Sequence, residues 1–131
     1  MTAEKLVEVA VTAMQGAYAP YSGYKVGAAL LCADGTVYTG CNIENASYTP
    51  TVCAERTAFF KAITDGRREF SAIAVCGGKN GVIEGLFPPC GVCRQVMREF
   101  CKDDFLIHMA GINGQIQTRT LAQLLPDSFC L

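Results

Sequence analysis

The sequence predicts an α/β domain built on a mixed five-stranded sheet with helices on its faces. Two observations carry that expectation. Apolar runs of strand length alternate with stretches of helical periodicity, which implies crossover helices between partly parallel strands. A hairpin signal near the start adds an antiparallel pair and makes the sheet mixed. At 131 residues the chain suits one domain, taken as residues 1–131.

The elements follow in order. Ala3 to Tyr18 repeats Leu6, Val9, Ala10, Ala13, Met14 and Ala17 on one helical face, with Thr2 as N-cap. Ala19-Pro20-Tyr21-Ser22-Gly23 ends that helix. Tyr24 to Cys32 and Thr36 to Ile43 read as strands around the Asp34-Gly35 turn. Glu44 to Thr51 is polar loop. Cys53 to Thr64 is helical, with Ala54, Ala58 and Ala62 on a small-residue face and Gly66 as its stop. Ser71 to Cys76 is a short strand, and Gly77 to Pro89 a Gly/Pro-rich connection. A helix is expected over Cys90 to Cys101 and a strand over Phe105 to Ala110. After the Asn113-Gly114 turn come a short strand over Gln115 to Thr118 and a brief helix over Thr120 to Leu125.

Composition narrows the function. Half the residues are hydrophobic, which permits a sizeable core. A net charge of −1 and a pI near 5.8 give no electrostatic footprint for a phosphate backbone, so a small neutral ligand is expected and nucleic acid is not. No apolar stretch approaches the ~18 residues a membrane helix needs. Charged Glu4, Lys5 and Glu8 interrupt the N-terminal apolar residues, so no secretory signal is read and a cytoplasmic location is expected. In a reducing compartment the eight cysteines suggest metal ligation or burial, not a disulfide framework.

Two segments carry chemistry: Cys53-Ala54-Glu55 and Pro89-Cys90-Gly91-Val92-Cys93, each at an expected helix start after a loop. Cys90 and Cys93 are three apart, so one helical turn can aim both sulfurs at one point. A helix N-terminus favours thiolate over thiol. Cys53 would add a third sulfur, and three ligands with one open position define a catalytic zinc site. Within a regular helix Cys53 and Glu55 would diverge by roughly 200°. They converge only if Cys53 occupies a non-helical entry, which leaves Glu55 over the open position as a proton carrier. Taken singly these motifs are weak, because C-x-x-C also marks redox and structural zinc sites and a first-turn Glu is ordinarily a surface residue. The ordered pair C-x-E and P-C-x-x-C is far more specific; it corresponds to the general zinc-deaminase signature, with Cys as first ligand. Three thiolates also leave a net negative centre, which an Arg56 guanidinium bonded to ligand sulfur would offset.

At these residues the chain resembles the small homotetrameric cytidine deaminases over nearly its whole length. The resemblance extends to Ala19-Pro20-Tyr21-Ser22, Val26 to Leu30, Gly40 to Ala46, Cys53 to Ala58, Pro89 to Gln95 and Leu124-Leu125-Pro126. It implies a single three-layer domain with helices on both sheet faces, and one zinc ion per subunit on Cys53, Cys90 and Cys93. Glu55 would be the catalytic proton shuttle. Asn42 and Glu44 match positions that bind the ribose 3′-hydroxyl, and Tyr24 stands where the family usually has Phe against the nucleoside. Ala54 falls in the same site. Ala46, Tyr48 and Phe129 resemble contributors to active sites shared between subunits of the tetramer. The implied reaction is hydrolytic deamination of cytidine and deoxycytidine at C4, in pyrimidine salvage.

Other readings remain at this point. A deaminase of a blasticidin S-type nucleoside would share the zinc motifs. A structural zinc module would need a fourth ligand, for which Cys41, Cys76 and Cys101 are available. A polynucleotide editor would need a basic, aromatic-lined groove, which the composition disfavours. A redox protein is least favoured, since nothing resembles a thioredoxin unit. Asn42 and Glu44 alternate at a strand end and, without the resemblance, could simply face solvent. His108, the single histidine, reads as a strand residue and not as a ligand.

Overall fold

The computed structural model describes residues 1–131. Its elements are α1 (Ala3–Met14), β1 (Tyr24–Cys32), β2 (Val37–Cys41), α2 (Ala54–Thr64), β3 (Phe70–Lys79), α3 (Gly91–Phe100), β4 (Leu106–Ala110), β5 (Ile116–Thr120) and α4 (Leu121–Leu124). One sheet takes the order β2-β1-β3-β4-β5. β1 is antiparallel to both β2 and β3, β3 and β4 are parallel, and β5 returns antiparallel to β4. The expected mixed five-stranded sheet is therefore present.

Strand alternation sends side chains to opposite faces, and each face has its own core. Leu30, Ile73, Val75 and Ile107 pack with α2, α3 and Leu121 of α4. Phe59 is the centre of that layer, with Phe70, Phe100 and Phe105 rings 5.2–6.3 Å from its own. On the other face Ala29, Ala72, Ala74 and Cys76 meet Leu6, Ala10 and Met14 of α1. Three layers result. The small residues under α1 let that helix lie close to the sheet.

Two glycines set the helix-to-sheet spacing. A Cβ on Gly27 would collide with the Ala10 carbonyl and lie 2.6 Å from the Met14 nitrogen. A Cβ on Gly40 would meet the Ala54 carbonyl and come 2.6 Å from the Ala58 nitrogen. The obstacles are backbone atoms of packed helices, so neither can yield cheaply.

The topology also decides where the helices begin. β2 and β3 both run antiparallel to β1, so they are parallel to each other. α2 follows β2 and α3 follows β3, which puts both helix N-termini at the carboxyl ends of parallel strands. Ligand crevices form at that end of α/β sheets. β1 starts at the same end.

Several element boundaries differ from the sequence reading. α1 stops at Met14, and Ala17 and Tyr18 instead continue into a turn whose Tyr18 bridges Ile43. β3 runs on through Gly77-Gly78-Lys79, because Tyr24–Val26 supplies hydrogen-bonding partners that outweigh two residues of poor strand propensity. β2 is shorter than expected, ending at Cys41. β5 and α4 meet at Thr120, which caps α4 reciprocally with Gln123. Cys93 and Met97 are the buried residues of α3, and Val92 is exposed.

Substituting Gly27→Ala is expected to lower unfolding free energy by about 2 kcal/mol or more through overpacking, whereas Gly85→Ala, open on all sides, stays within about 0.5 kcal/mol. Urea denaturation of the two variants checks this; equal midpoints would refute the close-approach account.

Candidate active site

Cys53 is the N-cap of α2 and Cys90 the N-cap of α3, both in extended backbone conformation (φ −76°, ψ 156° and φ −69°, ψ 167°). The kinked entry required for Cys53 and Glu55 to converge is thus present. Cys93 lies one turn into α3, and its N–H donates to the Cys90 sulfur at 3.5 Å. The two helix starts meet. Cys53 and Cys90 Sγ are 3.8 Å apart, and all three sulfurs lie within 4.8 Å of one another. Sulfurs bound tetrahedrally to one zinc at ~2.3 Å stand about 3.8 Å apart, so the donor set fits that ion.

No fourth cysteine joins them. Cys76 lies on the opposite sheet face with its Sγ 4.0 Å from the Met14 sulfur. Cys101 caps the far end of α3, and Cys41 borders Gly16 beneath α1. The closed, four-cysteine structural site is excluded by these positions. His108 sits in β4 with Nδ1 2.8 Å from the Thr118 hydroxyl, away from the cluster.

The surroundings favour thiolate at Cys53, while Cys93, which donates to it, is held as the thiol. The Cys53 thiol is held at about 5, chiefly because Cys93 donates a hydrogen bond to it, with Arg56 and Cys90 adding to that against the cost of burial. Arg56 Nη2 lies 3.4 Å from Cys53 Sγ, while its Nε is buried without a partner. The Arg56 guanidinium therefore occupies the position expected of a charge that offsets the sulfurs.

Glu55 is 3% exposed, and its Oε1 has no hydrogen-bond partner. A buried carboxyl with one oxygen unpaired is costly, and burial pushes it up to about 7. It lines a cavity of about 190 Å³ together with Cys53, Cys90, Ala54, Asn42 and Tyr24. One concavity thus gathers six of the residues singled out from sequence.

The remaining wall is polar on one side and aromatic on the other. The buried Asn42 amide bridges the start of β1: its Oδ1 accepts from the Val26 N–H at 2.9 Å and its Nδ2 donates to the Tyr24 carbonyl at 2.8 Å. Glu44 accepts from the Tyr21 and Ser22 N–H groups at 2.9 and 3.0 Å and from the Ser22 hydroxyl. Those bonds, led by the Ser22 hydroxyl, hold its carboxyl below the usual range. Neither side chain merely faces solvent. Tyr24 packs against Phe87, with ring centres 6.1 Å apart.

Phe87, Ser22, Val26 and Pro88 also line the cavity and carried no assigned role in the sequence reading. Ser22 lies within a stretch that carried the resemblance; Phe87, in an aperiodic connection, gave no signal. Of the expected residues, Glu44, Cys93 and Arg56 do not line the cavity themselves but bond to Ser22, Cys90 and Cys53, which do, whereas Ala46, Tyr48 and Phe129 are not brought to it by their own chain. Tyr48 is 89% exposed and Phe129 68%. The tail carrying Phe129 lies on α3, where Gln95 donates to its carbonyl at 3.2 Å. No helix is long and apolar enough to cross a membrane.

Residues 1–109 match the family described as the cytidine and deoxycytidylate deaminase zinc-binding region. The chain is 50% identical over 129 residues to the cytidine deaminase of Sporosarcina psychrophila, covering 98% of this chain and 92% of that one. The crystal structure of cytidine deaminase from Burkholderia pseudomallei superposes with a TM-score of 0.91 at 48% identity, covering 98% of this chain and all of that one. A blasticidin-S deaminase of Bacillus cereus is 29% identical over 126 residues, 93% of this chain and 88% of its own. The fold and the sulfur cluster thus belong to a zinc-binding deaminase. The chain is a member of the cytidine deaminase family, and its Cys53–Cys90–Cys93 cluster fits one zinc ion per chain.

Metal analysis of the purified protein is expected to find one zinc per chain, lost on Cys53→Ala, Cys90→Ala or Cys93→Ala but kept in Cys41→Ala and Cys130→Ala. Retention by a triad variant would remove that cysteine from the ligand set. Arg56→Gln should keep the fold yet lower zinc affinity or neutral-pH turnover by about 10-fold or more. If both stay at wild-type values, the charge-offsetting role of Arg56 is wrong.

Proposed function

We propose that this protein hydrolyses the 4-amino group of free cytidine and 2′-deoxycytidine, giving uridine or deoxyuridine and ammonia. The observation that carries the reading is the buried Glu55 carboxyl, its Oε1 without a partner, on the same small cavity as two sulfurs of the three-cysteine cluster. The identity of 50% to a cytidine deaminase, against 29% to a blasticidin-S deaminase, favours the ordinary nucleoside.

Cys53, Cys90 and Cys93 would hold the zinc ion, which when bound supplies a Lewis acid able to generate a hydrolytic nucleophile from water near neutral pH. Glu55 takes a proton from the attacking water and delivers it to ring N3, making C4 electrophilic. A second transfer through the same carboxyl moves the remaining hydroxyl proton to the amino group, which leaves as ammonia. A carboxyl poised near neutrality suits both directions of transfer. Its free Oε1 leaves an acceptor unspent by the fold.

Asn42 and Glu44 are assigned to the sugar hydroxyls and Tyr24, with Phe87, to the nucleoside's apolar faces. Support comes from the cavity that Asn42, Tyr24 and Phe87 share, and from the hydrogen bonds by which Glu44 holds Ser22 of the same wall. At about 190 Å³ the cavity is small for a complete binding site. Exposed Tyr48 and Phe129, with Ala46, suit completion of that site by a neighbouring subunit, and a homotetramer with shared sites is what the family resemblance implies. The domain is taken as residues 1–131 and the location as cytoplasmic, where a reduced cysteine cluster persists.

Glu55→Ala is expected to retain zinc and fold while losing cytidine turnover by about 10²–10⁴-fold or more, read from the fall in ultraviolet absorbance. Wild-type turnover alone supports both the reaction and the role of Glu55. Comparable rates in the two proteins would overturn the role.

A further inference from the structure

Lys79 ends β3 directly opposite Tyr24, the first residue of β1. Although exposed, its side chain is engaged. The ammonium donates a 2.6 Å hydrogen bond to the Ser22 carbonyl and stands 5.1 Å from the centre of the Tyr24 ring. Its stem crosses the bare face of Gly23, where a Cβ would lie 3.0 Å from Nζ and 3.2 Å from Cε. The next residue anchors the same turn, since the Asn80 N–H donates to the Gly23 carbonyl at 2.7 Å.

Ser22 is consequently gripped from two sides. Glu44 takes its N–H and hydroxyl, and Lys79 takes its carbonyl. A hydrogen bond from an ammonium is stronger than a neutral one, and a cation over a tyrosine face adds attraction. The positive charge also favours the ionised form of Glu44. Ser22 and Tyr24 line the cavity, whereas Lys79 stands behind them. Its bonds go to that wall and not to the sulfur cluster or Glu55.

We propose that Lys79 is a positioning residue for the sugar side of the substrate site, fixing Ser22, the Glu44 carboxylate and the Tyr24 ring before a nucleoside enters. This rests on the cytidine deaminase reading. Because Lys79 acts on the wall that receives the sugar and not on the reacting atoms, its loss should weaken binding and leave the chemical step intact.

Steady-state kinetics of wild type and Lys79→Met on cytidine and on 2′,3′-dideoxycytidine, which lacks the 2′- and 3′-hydroxyls, test the proposal. Met keeps the apolar stem over Tyr24 and removes only the cation. The expected result is a KM for cytidine raised about 3- to 10-fold, with kcat within about 2-fold. The KM for dideoxycytidine should move by less than about 2-fold, with thermal midpoint and zinc content unchanged. An unmoved cytidine KM overturns the proposal, and so does an equal rise for both nucleosides. A joint fall in kcat and zinc content also overturns it, since the role would then lie in the fold. Absence of wild-type turnover on cytidine would instead overturn the deaminase reading beneath it, and is seen before any variant is compared.

Discussion

The meeting of two helix starts at one end of the sheet is the constraint on which the rest of the molecule depends. Cys53 and Cys90, 37 residues apart in sequence, must bring their sulfurs to 3.8 Å. Each is an N-cap, so its position is set by where its helix begins and not by a flexible side chain. Helix starts are fixed in turn by the strands before them and by how closely α2 lies on the sheet. Gly40 governs that approach for α2. On the opposite face, Gly27 and a row of alanines do the same for α1. Small residues in this sheet are therefore part of the metal site's geometry.

Electrostatics follow from the same arrangement. Helix N-termini and the Arg56 guanidinium favour negative sulfur. Burial beside them does the opposite to Glu55, where it stabilises the neutral carboxyl. A thiolate at Cys53 and a protonatable acid at Glu55 thus coexist within one helical turn because each is governed by a different force. Of three buried side-chain polar atoms without partners, Arg98 Nε lies at the far end of α3, and the other two are Glu55 Oε1 and Arg56 Nε. Buried polar groups left unsatisfied by structure are costly, and here both adjoin the sulfur cluster, where a functional use accounts for them.

The opposite wall is built by hydrogen bonds in place of metal ligands. Asn42 fastens the start of β1, Glu44 fastens the turn before it, and Lys79 fastens the same turn from β3. Side chains assigned to a ligand's sugar are therefore also those that shape the site. Their geometry is set in the free protein, which lowers the ordering cost of binding.

The sequence by itself determined the fold class, the α2 and α3 helix starts and the chemistry of the cluster. Periodicity, turn pairs and the C-x-E and P-C-x-x-C spacings are local properties that report on backbone and donor type directly. Even the non-helical entry at Cys53 followed from the angular spacing of Cys53 and Glu55. Tertiary structure decided what local pattern cannot carry. It extended β3 through two glycines because Tyr24–Val26 pairs there, and it put Phe87 beside Tyr24 across more than sixty residues of chain. It also gave Glu44 a bracing role and Lys79 a partner in Ser22. Those contacts depend on strand order and register, and register is set only when the whole sheet closes around its two cores.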